Sequence, residues 1–353
     1  MKVMAENKKE LITIDGSIGY GQVLRSAVSL SALTLKPIRV TNIRVGRERP
    51  GLMPQHLSGV KTIAEFCNAE LRGAQYGSME IDFLPRELNV IDRRIDIGTA
   101  GSIGLLLQTL LPLLVFAKKP TTLEISGGTA GLGAPNVEYI KHVTLPLLTK
   151  FGLEMPEFEV VRQGFYPRGG GLVRLKVNPV KTLGYANILR QGTIKIVKGI
   201  SIAGSLPETV AVRQANAAKE YLLQNGVQSV VDINAETAET LSQGTSITLF
   251  EQTDESILGS DAIGRRGVRA EEIGKEAAES LLKSMKSEAA LDKWMTDQII
   301  PFIALASGKS AITVEEITDH CRTNMFVCEK ILGVKFEIEK NQISCDGIGF
   351  SLK

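Results

Sequence analysis

The 353-residue chain carries 41 Lys and Arg against 39 Asp and Glu, and a formal net charge of +2 is too small to announce a nucleic-acid binder without local basic clusters. Its length suggests roughly two domains, and an apolar content of 43% suffices for a sizeable core. Four cysteines without a CxxC pair, a polar stretch over residues 1–10 and no apolar run long enough to span a bilayer exclude a disulfide framework, a secretory signal and a membrane protein, so a soluble, cytoplasmic protein without membrane contacts is expected.

In chain order, three segments share one pattern: a polar start, an apolar helix, a short break and a β-branched strand. The first predicts a helix over 22–35, a break at Lys36-Pro37 and a strand over 38–43. A second helix over 54–69 and strands over 71–72 and 79–83 follow. The second predicts a helix over 104–117, a break at Lys118-Lys119-Pro120, a strand over 121–126, a helix over 135–151 and strands over 157–162 and 172–177. The third predicts a helix over 297–306, a break at Gly308-Lys309-Ser310, a strand over 311–317, a helix over 323–332 and strands over 334–339 and 342–351. The implied βαβαββ unit, used three times, gives an α/β (α+β) fold with a mixed sheet per unit.

Residues 184–269 break this period. Strands over 194–203, 229–233 and 246–251, with an amphipathic helix over 210–224, form a smaller α/β domain inserted in the third unit. Gly259 to Gly267 reads as its exit loop, and a helix over 270–287 leads back. The large domain is expected over 1–183 and 270–353.

The chain has three histidines, His56, His142 and His320. Superposing the units sets His320 just ahead of the second helix of unit three, where Gln55-His56 stands in unit one and Pro135-Asn136 in unit two. There the positive end of the helix dipole favours a neutral imidazole, suited to a nucleophile, and attracts phosphate. The bland reading is a capping or packing histidine. Arg44, Arg47 and Arg49 lie on a Gly/Pro loop beside Arg25, which suits bidentate phosphate binding or a solvated charged loop equally. Trp294, the single tryptophan, reads either as core or as a stacking platform for a base. Glycine-rich loops at 16–21, 98–102, 127–131 and 169–171 match neither a P-loop nor a dinucleotide fingerprint, and no clustered ligands suggest zinc.

Over nearly its whole length the chain resembles the RNA 3′-terminal phosphate cyclases. The resemblance is carried by Asp15-Gly16-Ser17, Gly21-Gln22-Val23-Leu24-Arg25-Ser26, Ile43-Arg44-Val45-Gly46-Arg47, Gln55-His56-Leu57, Ile97 to Ser102 and Leu107-Gln108-Thr109. It continues through Gly164-Phe165-Tyr166-Pro167-Arg168-Gly169-Gly170-Gly171, Asp297-Gln298 and His320 with Thr323-Asn324. It implies the same three units and insert. It also implies an ATP-dependent conversion of an RNA 3′-phosphate end to a 2′,3′-cyclic phosphate, through a covalent histidine–AMP and an RNA(3′)pp(5′)A intermediate. His320 matches the adenylylated nucleophile, and Arg25, Arg44 and Arg47 match phosphate-binding arginines. Gln55, Gln108 and Gln298 match nucleotide contacts, with Gln22, Met295, Thr296 and Asp297 beside them. Trp294 and Pro135 stand where the family encloses adenine. A divalent metal, Mg2+ or Mn2+, is implied as well.

The first glycine loop lacks the Glu that the family uses at its metal site, which leaves Asp15 as the substitute. Gln163 stands where a basic residue is common. A non-catalytic, cyclase-like ribosome-biogenesis protein is the alternative, which the missing Glu favours and which His320 with its arginines opposes. A nucleotidyltransferase acting on other phosphate or carboxylate ends is a third reading.

Overall fold

A computed structural model of the chain describes residues 11–19 and 21–352, so Met1 to Glu10, Tyr20 of the first glycine loop and Lys353 lie outside the described residues. The chain forms β1 (Ile12–Asp15), α1 (Gly21–Thr34), β2 (Ile38–Thr41), α2 (Pro54–Phe66), β3 (Glu70–Arg72) and β4 (Ile81–Leu84). β2 runs parallel to β1 and antiparallel to β4, and the sheet order is β1-β2-β4-β3.

The second unit repeats this with β5 (Arg93–Asp96), α3 (Ile103–Val115) and β6 (Thr121–Gly127). Where one helix is expected over 135–151, the chain makes α4 (Val137–Tyr139), a π-helical turn over Ile140–Thr144, α5 (Leu145–Leu148) and a 3-10 turn over Thr149–Phe151. Pro146 explains the widening: it has no N–H to give, and its ring crowds the carbonyl of His142 inside the π turn. β7 (Glu157–Arg162) and β8 (Gly171–Val177) complete a sheet of order β5-β6-β8-β7.

After β9 (Asn187–Ile188) the chain departs through β10 (Ile194–Gly204), α6 (Glu208–Gln224), β11 (Val231–Ala238), β12 (Gly244–Thr253), β13 (Ile257–Ile263) and α7 (Ala270–Lys286). These strands make a fourth sheet, order β11-β10-β12-β13. The chain returns as α8 (Lys293–Leu305), β14 (Ser307–Thr313), α9 (Asp319–Leu332), β15 (Phe336–Glu339) and β16 (Gln342–Ile348), and β9 pairs parallel with β14.

Three expectations are corrected here. Gly259 to Ile263, read as an exit loop, is strand β13, paired with β12 through Ile263. Gly308-Lys309-Ser310, read as a break, lies within β14, in antiparallel register with Gly347, Asp346 and Cys345 of β16. α7, assigned to the large domain, lends Ile273, Ala277 and Leu281 to the hydrophobic cluster under the fourth sheet, and β9, assigned to the insert, belongs to the third sheet.

The helices form the interior. α1 is buried on every side except at Arg25 and Thr34, and it packs against α2, α3 and α9. The sheets of the three units turn one face to these helices, as in β6, where Thr121, Leu123, Ile125 and Gly127 are buried while Glu124 pairs outward with Arg94 and Arg174. Such exposed pairs contribute only about 0–1 kcal/mol each. The burial of apolar helix faces carries the fold.

Candidate active site

The first two turns of four helices converge on one cavity of about 220 Å³. α1 contributes Gln22 and Arg25, α3 contributes Leu105 and Gln108, α8 contributes Trp294, Asp297 and Gln298, and α9 contributes His320. Gly131 to Pro135 and Tyr139 of unit two form another wall, and Asp261, Arg265 and Glu276 come from the inserted unit. The positive ends of the helix dipoles suit such a place to anions.

The helix starts are fixed by their caps. The Asp292 carboxylate accepts from the N–H groups of Trp294 and Met295, each at 2.9 Å, and from the Tyr139 hydroxyl at 2.8 Å. Thr318 Oγ1 accepts from the Cys321 N–H at 3.1 Å, so α9 starts at Asp319, four residues before the helix expected from Thr323. His320 is therefore the second residue of α9 rather than just ahead of it.

Burial, reinforced by the Arg25 and Arg47 cations, lowers the His320 pKa, against the opposing pull of Asp319 and the Gly19 backbone. The neutral imidazole expected from the helix dipole is thus favoured chiefly by desolvation. Its Nδ1 is buried and has no hydrogen-bond partner.

Arg25 donates from its terminal nitrogen to Gln22 Oε1, while its buried Nε has no partner. Burial brings the guanidinium down to about 10, with Asp297 opposing. Gln22 Nε2 donates to Asn324 Oδ1 at 3.1 Å, Ser26 Oγ donates to the same oxygen at 2.5 Å, and Asn324 Nδ2 donates to the Asp297 carbonyl at 2.6 Å. This network ties α1, α8 and α9 together behind the arginine. The Asp297 carboxyl is raised to about 7 by burial, with Arg25 pulling it down.

Other expected residues are placed variously. Trp294, 44% exposed, and Pro135 both line the cavity, and Lys293 Nζ lies 4.6 Å from the indole centroid. Gln108 lines it with a partnerless Oε1. Gln298 also lines it, yet its amide donates to the Trp294 carbonyl at 2.9 Å and accepts from Thr144 at 3.1 Å. Gln55 shares a small adjoining cavity with Arg25 and His56. Arg47 acts on His320 electrostatically, whereas Arg44 donates to the Arg49 and Gly51 carbonyls at 2.8 and 2.9 Å and braces its loop. Met295 and Thr296 face away: both are fully buried, and Thr296 Oγ1 donates to the Asp292 carbonyl.

Asp15 does not reach the cavity. Its carboxylate accepts from the Ser17 N–H at 2.9 Å and Asn42 Nδ2 at 3.0 Å. Asp96 does the same in unit two, accepting from the Gly98 N–H at 2.9 Å and Ser126 Oγ at 2.8 Å. The shared pattern closes the turn after the first strand of units one and two. Among the described residues no group of three or more His, Cys, Asp or Glu is placed to hold a metal ion.

Sequence reasoning missed the contribution of the inserted unit. Asp261, whose Oδ2 accepts from the Asn136 N–H at 2.7 Å and whose carboxyl burial raises to about 6, was hidden by reading 259–267 as a loop. Tyr139 gave no signal of a site role, and Asn324 entered only as part of the resemblance, because both act through partners distant in sequence.

The RNA 3′-terminal phosphate cyclase family profile matches residues 17–338. Curated relatives of that name include a protein of Pyrococcus abyssi, 44% identical over 93% of this chain and 95% of the relative. Another, of Archaeoglobus fulgidus, is 42% identical over 94% of this chain and 99% of the relative. The solved EPSP synthase of Acinetobacter baumannii matches at a TM-score of 0.41 and 12% identity, over 97% of this chain and 48% of that one, a likeness on which no argument rests. With matches of this identity spanning nearly the whole sequence, the chain belongs to the RNA 3′-terminal phosphate cyclase family.

Proposed function

We propose that the protein converts an RNA 3′-phosphate end to a 2′,3′-cyclic phosphodiester at the expense of ATP. An imidazole nitrogen of His320 attacks the α-phosphorus of ATP, the bond to the β-phosphate breaks, and pyrophosphate leaves, giving a histidine–AMP phosphoramidate. The RNA 3′-phosphate then displaces the histidine and forms RNA(3′)pp(5′)A. The adjacent 2′-OH attacks the 3′ phosphorus, loses its proton, and AMP leaves. Division of one dehydration into activated steps is the usual reason for covalent catalysis.

The observation that supports this reading best is a neutral His320 in one cavity with Arg25, a buried cation whose Nε has no partner. A buried guanidinium with one N–H left unmatched, beside Gln22 Oε1 and Asp297, gains from an anion that arrives to meet it. Arg47 adds positive charge at the same imidazole. Trp294 and Pro135 supply apolar walls for the adenine, and Gln108 offers it or the ribose a free acceptor. ATP is taken here as its Mg2+ or Mn2+ complex, an ion that keeps its own waters and phosphate ligands. Four free, buried cysteines accord with a reducing, cytoplasmic setting.

Incubation with α-labelled ATP and Mg2+, without RNA, is expected to leave acid-labile, alkali-stable label on the native protein and none on His320→Ala. Absence of label on the native protein, or equal label on both, overturns the reading. The fate of a 3′-phosphate oligoribonucleotide against a 3′-hydroxyl control then tests the substrate.

A further inference from the structure

The glycine-rich hairpin between β7 and β8 serves no step above. We infer that its exposed tip, Tyr166 and Arg168, is a docking platform for the single-stranded RNA leading into the cavity. Tyr166 stacks on a base upstream of the terminal nucleotide, and Arg168 pairs with a backbone phosphate. The inference rests on the reading of the protein as an RNA-end cyclase.

The root of the hairpin is firmly held. Phe165 is 3% exposed, and its ring fills the space that side chains at Gly204 and Gly244 of the inserted sheet would occupy, within 2.5 and 2.4 Å of their Cβ positions. The Gly164 N–H donates to Thr129 Oγ1 at 3.0 Å, and the Thr129 N–H donates to the Gly164 carbonyl at 2.9 Å. The Arg168 N–H donates to Ser242 Oγ at 3.1 Å. A Cβ at Gly169 would lie 2.8 Å from the Thr99 carbonyl, and the residue has φ +67, so glycine is needed there for both reasons.

On this fixed root stands Tyr166, 80% exposed, more than any other large apolar or aromatic side chain among the described residues. Arg168 is exposed, and its guanidinium forms no ion pair among the described residues. Arg162, also exposed, donates from Nε to the Gly170 carbonyl at 2.5 Å and adds a second positive charge to the hairpin. A rigid aromatic flanked by arginines fits bases and phosphates of a single strand, since every base offers a stacking face and every linkage a charge.

Continuity with the cavity selects RNA over a protein partner. Thr129, which holds the root, lies two residues before Gly131, where the cavity wall begins. On the other side the root packs on Thr99 and Ala100, and the next residue, Gly101, abuts Gln55 of the cavity that adjoins Arg25. A strand with its 3′-phosphate at Arg25 therefore finds the hairpin among the segments bordering its path.

The test is fluorescence anisotropy of a labelled, short 3′-phosphate oligoribonucleotide with the full chain, beside competition by a nucleoside 3′-phosphate, which has no upstream bases. Tyr166→Ala should weaken oligonucleotide binding about 5- to 100-fold, Tyr166→Phe should not, and neither should change competition by the nucleoside. Arg168→Ala should reduce the slope of log affinity against log salt by about 0.7. Adenylylation of His320 without RNA, equal to native in each variant, shows that the fold is intact. Native-like oligonucleotide binding by Tyr166→Ala and Arg168→Ala overturns the platform. A native protein that neither adenylylates nor binds RNA overturns the cyclase reading, and the platform with it.

Discussion

Replacing Glu251 by Gln should flatten the pH dependence of stability. Glu251 lies on β12, fully buried, opposite Val197 and Leu258, both of which belong to the cluster under the fourth sheet. Neither carboxylate oxygen has a hydrogen-bond partner, and burial raises the group from 4.5 to about 7. The folded state therefore holds this proton more tightly than the unfolded chain does. The resulting stabilisation is fully present below 4.5 and is lost as pH rises through about 7, and a gap of that size corresponds to about 3 kcal/mol. The amide does not ionise, so urea denaturation at about pH 5 and about pH 8 should show the native protein losing about 2–3 kcal/mol relative to Glu251→Gln. Asp261, Asp292 and Asp297 are also raised by burial and titrate in both proteins, so the difference isolates Glu251. Parallel stabilities across the interval would show that the carboxylate is compensated, and would refute the reasoning.

Asn324→Ala should cost about 3 kcal/mol by denaturant midpoint, since it orphans Gln22, Ser26 and the Asp297 carbonyl together, and adenylylation should slow as Arg25 loses its brace. A loss under about 1 kcal/mol would mean that the network carries little. Asp15→Ala should cost about 1 kcal/mol through its turn while leaving the half-saturating Mg2+ or Mn2+ concentration for adenylylation unchanged. A shift of about tenfold or more in that concentration would return Asp15 to the metal. Because the His320 pKa lies below the ordinary imidazole value of 6.5, adenylylation should stay fast as pH falls through that value, and a rate profile with its acid midpoint at or above it would remove the neutral nucleophile.

Much of the fold was legible because hydrophobic periodicity and β-branched runs are local signals. The three units follow from them, and their three sheets share one order, with a parallel first pair and antiparallel second and third pairs. What failed was also physical. Gly308 in β14 and Gly259 in β13 read as breaks because glycine usually marks turns, yet pairing across a sheet overrides that preference. At the site, His320, Arg25 and Trp294 were found by residue type and resemblance, and the cavity does collect them. Met295 and Thr296 were included as neighbours of Trp294, but on a helix adjacent residues face different ways, and both went to the core. Asp15 was chosen for its charge alone. Its partners, Asn42 and the Ser17 N–H, become apparent only once β1 and β2 are paired.

The cavity draws one helix from each of the first two units and two from the third, and these enter in a fixed temporal order during synthesis. Arg25 and its partner Gln22 emerge early, while the network that steadies them waits for Asn324 and the proposed nucleophile waits for His320, both on α9. A ribosome-bound chain stopped before α9 thus holds a phosphate-seeking arginine with nothing to transfer. On the proposed mechanism, fragments truncated ahead of the third unit should be inert toward ATP however well their first sheets have folded.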